Sequence, residues 1–171
     1  MKHWNFRLVI ILLVLVIASF VVYNFLLYQF GIVPLGGKKA PSYVLLLIAQ
    51  WYLVFHLYKH PKLSSLHFLN LFAYQYFFVS IVGIVSAIIL YQFYQQSLGI
   101  QVLNEFIQLS LNELNQYKNQ IVLQEDLRFF DQLVDGVKSI NAYSIAKDDF
   151  FQKIALAFLP NLLISLYYKK N

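Results

Sequence analysis

Four long runs of apolar residues, each bounded by charges, prolines or glycines, constrain this chain more than any other feature. The first covers residues 8–30 and holds no formal charge. About 20 apolar residues at 1.5 Å rise each cross a hydrocarbon layer roughly 30 Å thick. A cleaved signal peptide has a shorter apolar region and a small-residue cleavage site. Here Tyr28-Gln29-Phe30 stands where small residues would be needed, so the run reads as a retained helix. Gly31, Pro34, Gly36 and Gly37 break it, and Lys38-Lys39 follow. The second run, 42–60, is short and interrupted by Gln50 and His56, with Lys59 and Pro61 at its end. The third, 66–94, is longer than a span needs; it must tilt or protrude, leaving the membrane between Tyr91 and Gln96. The fourth, 150–168, is entered through Asp148-Asp149, either of which is expected to cap its helix. Pro160 removes one backbone hydrogen bond and is expected to kink that helix, which membrane helices tolerate.

Composition points the same way. Only 12% of the 171 residues are charged and 60% are hydrophobic, whereas soluble domains carry about a quarter charged residues. There is no cysteine, hence no disulfide framework, thiolate metal site or lipoprotein acylation site. The formal charge of +5 is spread over lysines and arginines between apolar blocks. That arrangement suits a topology signal better than a phosphate-binding stripe, so no nucleic-acid partner is expected.

All eight acidic residues fall between Glu105 and Asp149, alongside Lys118, Arg128, Lys138 and Lys147. Within this segment Leu103, Ile107, Leu111, Leu114, Tyr117 and Ile121 recur at helical spacing. Gln101, Gln108, Asn112, Asn115 and Asn119 line the opposite face. A second helix carrying Leu127, Phe130, Val134 and Val137 is expected to follow, weakened or ended by Gly136, Asn141 and Ser144. The expected fold is therefore all-α: a single membrane domain, 1–171, with a bundle of four transmembrane helices. An extramembrane amphipathic helical hairpin, 97–149, separates the third span from the fourth. Lys2, Arg7, Lys59, Lys62, Lys169 and Lys170 gather on one side, against Lys38 and Lys39 plus the mixed-charge segment on the other. Basic short loops stay in the cytoplasm, which places both termini there and 97–149 outside.

Ionisable groups in mid-membrane mark functional sites by default. Up to Tyr58 in the second, the first three runs hold no Asp, Glu, Lys or Arg, and Lys153, near the start of the fourth, is expected to snorkel to the interface. His56 and His60 share a helix face, and His67 could approach from the next helix. Two histidines do not complete a metal site, so they read as interfacial polar residues. Gly36-Gly37-Lys38-Lys39 lacks the spacing and the Ser or Thr of a phosphate loop and reads as a turn. Ser144 and Lys147 match the bare spacing of a serine–lysine pair without its companion motifs. No catalytic, cofactor or metal residues are assigned. Asn24, Gln50, Gln75, Ser80, Ser86, Asn161 and Ser165 can hydrogen-bond across helices, each worth about 0.6 kcal/mol. Ser80, Gly83 and Ala87 give the third helix a small-residue face for close packing.

The layout resembles the Bacteroidota four-span membrane-protein family DUF-4199. The likeness is carried by three spans, a roughly fifty-residue amphipathic stretch and a last span ending in paired lysines. Leu90-Tyr91-Gln92-Phe93-Tyr94 at the exit of the third span and Leu163-Ile164-Ser165-Leu166-Tyr167-Tyr168-Lys169-Lys170 add to it. The resemblance implies a bacterial inner-membrane protein of unassigned function, with no catalytic residues to transfer.

The functional expectation is a non-catalytic accessory or scaffold subunit of an inner-membrane assembly. Its partners would be lipid and other membrane proteins or a second copy, with no small-molecule substrate inferred. Leu103, Ile107, Leu111, Leu114, Tyr117, Ile121 and Phe130 would form the partner-binding face, whose Asn- and Gln-rich, acidic surroundings disfavour anionic lipid. The alternatives are a small transporter or channel working through Asn24, Gln50 and Gln75, and a membrane enzyme using His56, His60 or Ser144.

Overall fold

A computed structural model describes residues 6–59 and 67–168. Lys2, His60, Pro61, Lys62, Leu66, Lys169 and Lys170, to which parts of the sequence reading attach, lie outside the described residues. Among those described, every regular element is helical: α1 Phe6–Gln29, a 3-10 turn Gly36–Lys39, α2 Ala40–Lys59, α3 Phe68–Tyr94, α4 Ser97–Gln116, α5 Lys118–Gln124, α6 Leu127–Lys138 and α7 Ala142–Tyr168. Four helical stretches, belonging to α1, the turn with α2, α3 and α7, are long and apolar enough to cross a membrane.

The chain divides into two compact units, residues 1–87 with 148–171, and residues 88–147. In the first, each long helix contributes one buried stripe. Val9, Leu12, Val16 and Phe20 are buried on α1, spaced three or four residues apart, and Tyr43, Leu46, Leu53 and Leu57 on α2. The remaining faces are apolar as well. Ile11, Val14, Leu15, Val22 and Phe25 on α1, and Val44, Ile48 and Trp51 on α2, are exposed. A helix that is hydrophobic all round yet buries only a narrow stripe has an outer surface suited to lipid.

Local signals set the ends of these helices. The α1 helix closes with a Schellman motif: the Ile32 N–H donates to the Leu27 carbonyl at 2.9 Å and the Gly31 N–H to the Tyr28 carbonyl at 3.0 Å. Gly31 takes φ +70°, a conformation only glycine adopts at no steric cost. The Tyr23 hydroxyl then donates to the Lys38 carbonyl at 3.0 Å, tying α1 to the turn that starts α2. The start of α7 differs from the expectation. It begins at Ala142, eight residues before the apolar run, so neither Asp148 nor Asp149 caps it. Asn141 and Ser144 do so reciprocally. The Ser144 N–H donates to Asn141 Oδ1 at 3.0 Å, and the Asn141 N–H donates to Ser144 Oγ at 2.9 Å. Pro160 lies within α7 without ending it.

The second unit also departs from the expected pair of helices. The stretch from Leu103 to Ile121 is not one helix; it breaks at Tyr117 into α4 and α5, and α6 follows. Asp126 caps α6, its side chain accepting the Phe129 N–H at 2.6 Å. With the break at Tyr117, α6 can pack back on α4 as well as on α5. Val102, Leu103 and Phe130 are buried, and the Lys118 ammonium sits 5.2 Å from the centre of the Phe130 ring. At the head of α4 the backbone of Gly99 approaches the Phe93 carbonyl so closely that a methyl group there would overlap it. Substituting Gly99→Ala forces backbone movement, so the variant is expected to lose about 1–3 kcal/mol. Thermal unfolding in detergent and faster proteolysis within 97–138 would register the loss.

Candidate functional site: a buried ion cluster and a polar stripe

The last helix carries its polar residues on the wrong side for a water-soluble protein. Asp149, Lys153, Ala157, Asn161 and Ser165, four residues apart, are all buried. Phe151, Leu156, Phe158, Leu159, Leu163 and Leu166 on its other faces are exposed. A four-residue repeat keeps one helix face, and at 1.5 Å per residue this stripe runs about 24 Å. It covers most of a span.

The first part of the stripe is ionic. Among the described residues the buried charged side chains are Lys39, Asp149 and Lys153, and they meet at one point. Lys153 donates to Asp149 Oδ2 within α7. The Ser86 hydroxyl of α3 donates to the same oxygen at 3.2 Å. Asp149 Oδ1 receives the Tyr43 hydroxyl of α2 at 3.4 Å, with the Lys39 ammonium 3.7 Å away. Gln152 Oε1 is the nearer acceptor for the single Tyr43 hydroxyl proton, at 2.9 Å. The Lys153 ammonium lies over the Phe20 ring of α1 at 4.7 Å and near the Tyr43 ring at 5.3 Å, with the two rings edge to face. The turn before α2, α2, α3 and α7 therefore meet at one carboxylate, and α1 covers its lysine partner with the Phe20 ring.

This corrects the sequence reading of Lys153. It does not snorkel; it is 2% exposed and lies about 16 Å along α7 from the first residue. Burying an ammonium in low dielectric is unfavourable unless it is paired, and Asp149, one turn earlier, supplies the pair. The premise that charge is absent from the bundle interior fails with it.

The second part of the stripe is neutral. Gln50 of α2 donates to Asn161 Oδ1 at 2.6 Å. Gln75 of α3 donates to the Ser165 hydroxyl at 2.7 Å and approaches the Asn161 carbonyl at 3.4 Å. These four side chains are fully buried and join α2, α3 and α7. Asn24 and Ser80 bond instead to carbonyls of their own helices, Phe20 and Tyr76. Gly83 lies under the Phe150 ring, which a methyl group at that position would meet at 2.9 Å. Ala87 is partly exposed.

The other residues singled out in the sequence lie elsewhere. His56 is on α2 beside the Tyr52 ring at 6.4 Å, and His67 directly precedes α3. The Ser144 hydroxyl donates to the Asn141 carbonyl at 2.9 Å as part of the helix cap. In the second unit Leu103 and Phe130 are buried, Ile107, Leu111, Leu114 and Ile121 are half-buried, and Tyr117 is exposed at the helix break. A cleft of about 510 Å³ is lined there by Leu114, Tyr117, Ile121, Leu133 and Val137, with Glu113 among its polar groups.

No family model, curated protein or solved structure matches this chain.

The ion cluster should respond asymmetrically to substitution. Asp149→Ala strands Lys153 without its partner, and the expected loss is about 3–5 kcal/mol. Replacing all three charges by apolar residues, Asp149→Leu with Lys39→Met and Lys153→Met, should recover most of that stability, because no ammonium is then left unpaired. Thermal unfolding of the two variants in the same detergent makes the comparison.

Proposed function

We propose that the protein is a non-catalytic accessory or scaffold subunit of a membrane protein assembly, residing in a bacterial inner membrane. In this reading both termini are cytoplasmic and the segment 97–149 lies outside, as the distribution of Lys and Arg suggests. The resemblance of the layout to the DUF-4199 family would imply the same placement. The single observation that carries the role is the cleft between α4, α5 and α6. Leu114, Ile121, Leu133 and Val137 give it an aliphatic floor among Ser110, Glu113, Gln120 and Gln124, and Tyr117, Leu123, Leu127 and Phe129 of the same unit are exposed. A contiguous apolar surface outside the spans would mark a contact site for another protein. Membrane lipid would cover the outer faces of the spans. Neither a nucleic acid nor a small-molecule substrate enters this reading.

Purification of the full-length chain in a gentle detergent is expected to retain a reproducible set of membrane proteins. Ile121→Asp with Val137→Asp, which places charge in the cleft, should release them while the helical content stays intact. A clean monomer from the unaltered chain would remove the accessory reading.

One observation favours a second reading, a small transporter or channel component. The α7 stripe presents ionic and amide groups along about 24 Å of the bundle interior, and polar groups inside a membrane often mark a conduction path. On that reading, reconstituted protein conducts protons or a small polar solute, and Gln75→Leu or Asn161→Leu lowers the flux at least about tenfold. Proteoliposomes that are tight to protons and small solutes would set it aside.

A further inference from the structure

The ion cluster does not balance. It encloses two ammonium groups, Lys39 and Lys153, and one carboxylate, Asp149. The carboxylate's charge is already engaged by Lys153. One oxygen takes Lys153, with the Ser86 hydroxyl at 3.2 Å; the other faces Lys39, with the Tyr43 hydroxyl at 3.4 Å. Lys153 is well served by that carboxylate and by the faces of Phe20 and Tyr43.

Lys39 is not. Its ammonium carries three donors, yet its polar neighbour is the Asp149 oxygen at 3.7 Å, beyond hydrogen-bond length. Lys39 is 6% exposed against 2% for both Asp149 and Lys153, so the part of the cluster still open to the outside is on its side. Lys38, its exposed neighbour, adds positive potential at the same turn. An excess cation held in a low-dielectric setting favours recruitment of an anion, because the desolvation of the ammonium is already met by folding and each charge-assisted hydrogen bond then counts strongly. The position selects the class of anion. Lys39 immediately precedes α2, where a spanning helix reaches the headgroup layer and lipid phosphates lie.

We propose that Lys39 and the open side of the Lys39–Asp149–Lys153 cluster form a binding site for a phosphate-class monoanion, either free or carried by a lipid headgroup. The site is independent of the accessory role and of its partner.

Full-length protein in a neutral detergent, freed of phosphate, provides the test. Thermal unfolding is followed while adding inorganic phosphate, phosphatidylglycerol in mixed micelles, or zwitterionic phosphatidylcholine as the reference. Native mass spectrometry of the same samples detects retained phospholipid. A saturable rise in Tm is expected with phosphate, with phosphatidylglycerol, or with both, and not with phosphatidylcholine. A response to phosphatidylglycerol alone assigns the site to a lipid, and a response to both assigns it to the phosphate group itself. Lys39→Gln should weaken binding roughly tenfold or more, Lys39→Arg should retain it, and Lys38→Gln should stay within about twofold of the unaltered chain. Should Lys39→Gln not fold, the unaltered chain and Lys39→Arg still decide the matter. No saturable response in the unaltered chain, or binding by Lys39→Gln equal to it, overturns the proposal.

Discussion

A carboxylate can sit among apolar helices only where its lone pairs are met, and Asp149 sits at such a place. Its two oxygens are met by an ammonium one turn along the same helix, a serine from α3, a tyrosine from α2 and, more distantly, a lysine from the turn. The two lysines in turn have this carboxylate as their counter-charge. Removing one partner leaves a charge with no water to take its place, so the cluster constrains four helices at once. Apolar contacts cannot do this by themselves in lipid, where the solvent is as apolar as the side chains and association rests on packing and hydrogen bonds.

The amide layer further along α7 extends the same logic without charge. Gln50 to Asn161 and Gln75 to Ser165 are single hydrogen bonds of modest worth, about 0.6 kcal/mol each. Their value lies in direction. A leucine can slide along its neighbour, but a hydrogen-bonded amide fixes register. Together with the close approach at Gly83, they specify how α2 and α3 meet the inner face of α7.

The second unit is held together by other means. Of its helices α5, at seven residues, would not persist alone. It persists because the break at Tyr117 brings α6 back on α4 and α5, burying Phe130 under Lys118. No glycine or proline marks that break, so local propensity is silent about it.

Much of the architecture was legible in the residues themselves. Long uncharged runs leave the backbone no better option in lipid than a helix, and Gly31, Gly36 and Gly37 stop the first run where the structure also ends it. The segment between the third and fourth runs reads as helical from its spacing. Helix ends were less legible: Asn141 and Ser144 look like breakers in a linear reading, whereas reciprocal hydrogen bonds make them a start signal. The ion cluster was hardest to see. Asp149, Lys153, Asn161 and Ser165 recur every four residues, and that period was available, but a polar stripe on an apolar helix reads equally as an interfacial edge until its neighbours are placed. Lys39 lies 110 positions from Asp149 in the chain. Composition and periodicity determined that four apolar helices form and roughly where; only the tertiary structure decided that α7 turns its charged face inward. That choice depends on whether distant helices bring partners to meet each charge, and no local pattern encodes such a meeting.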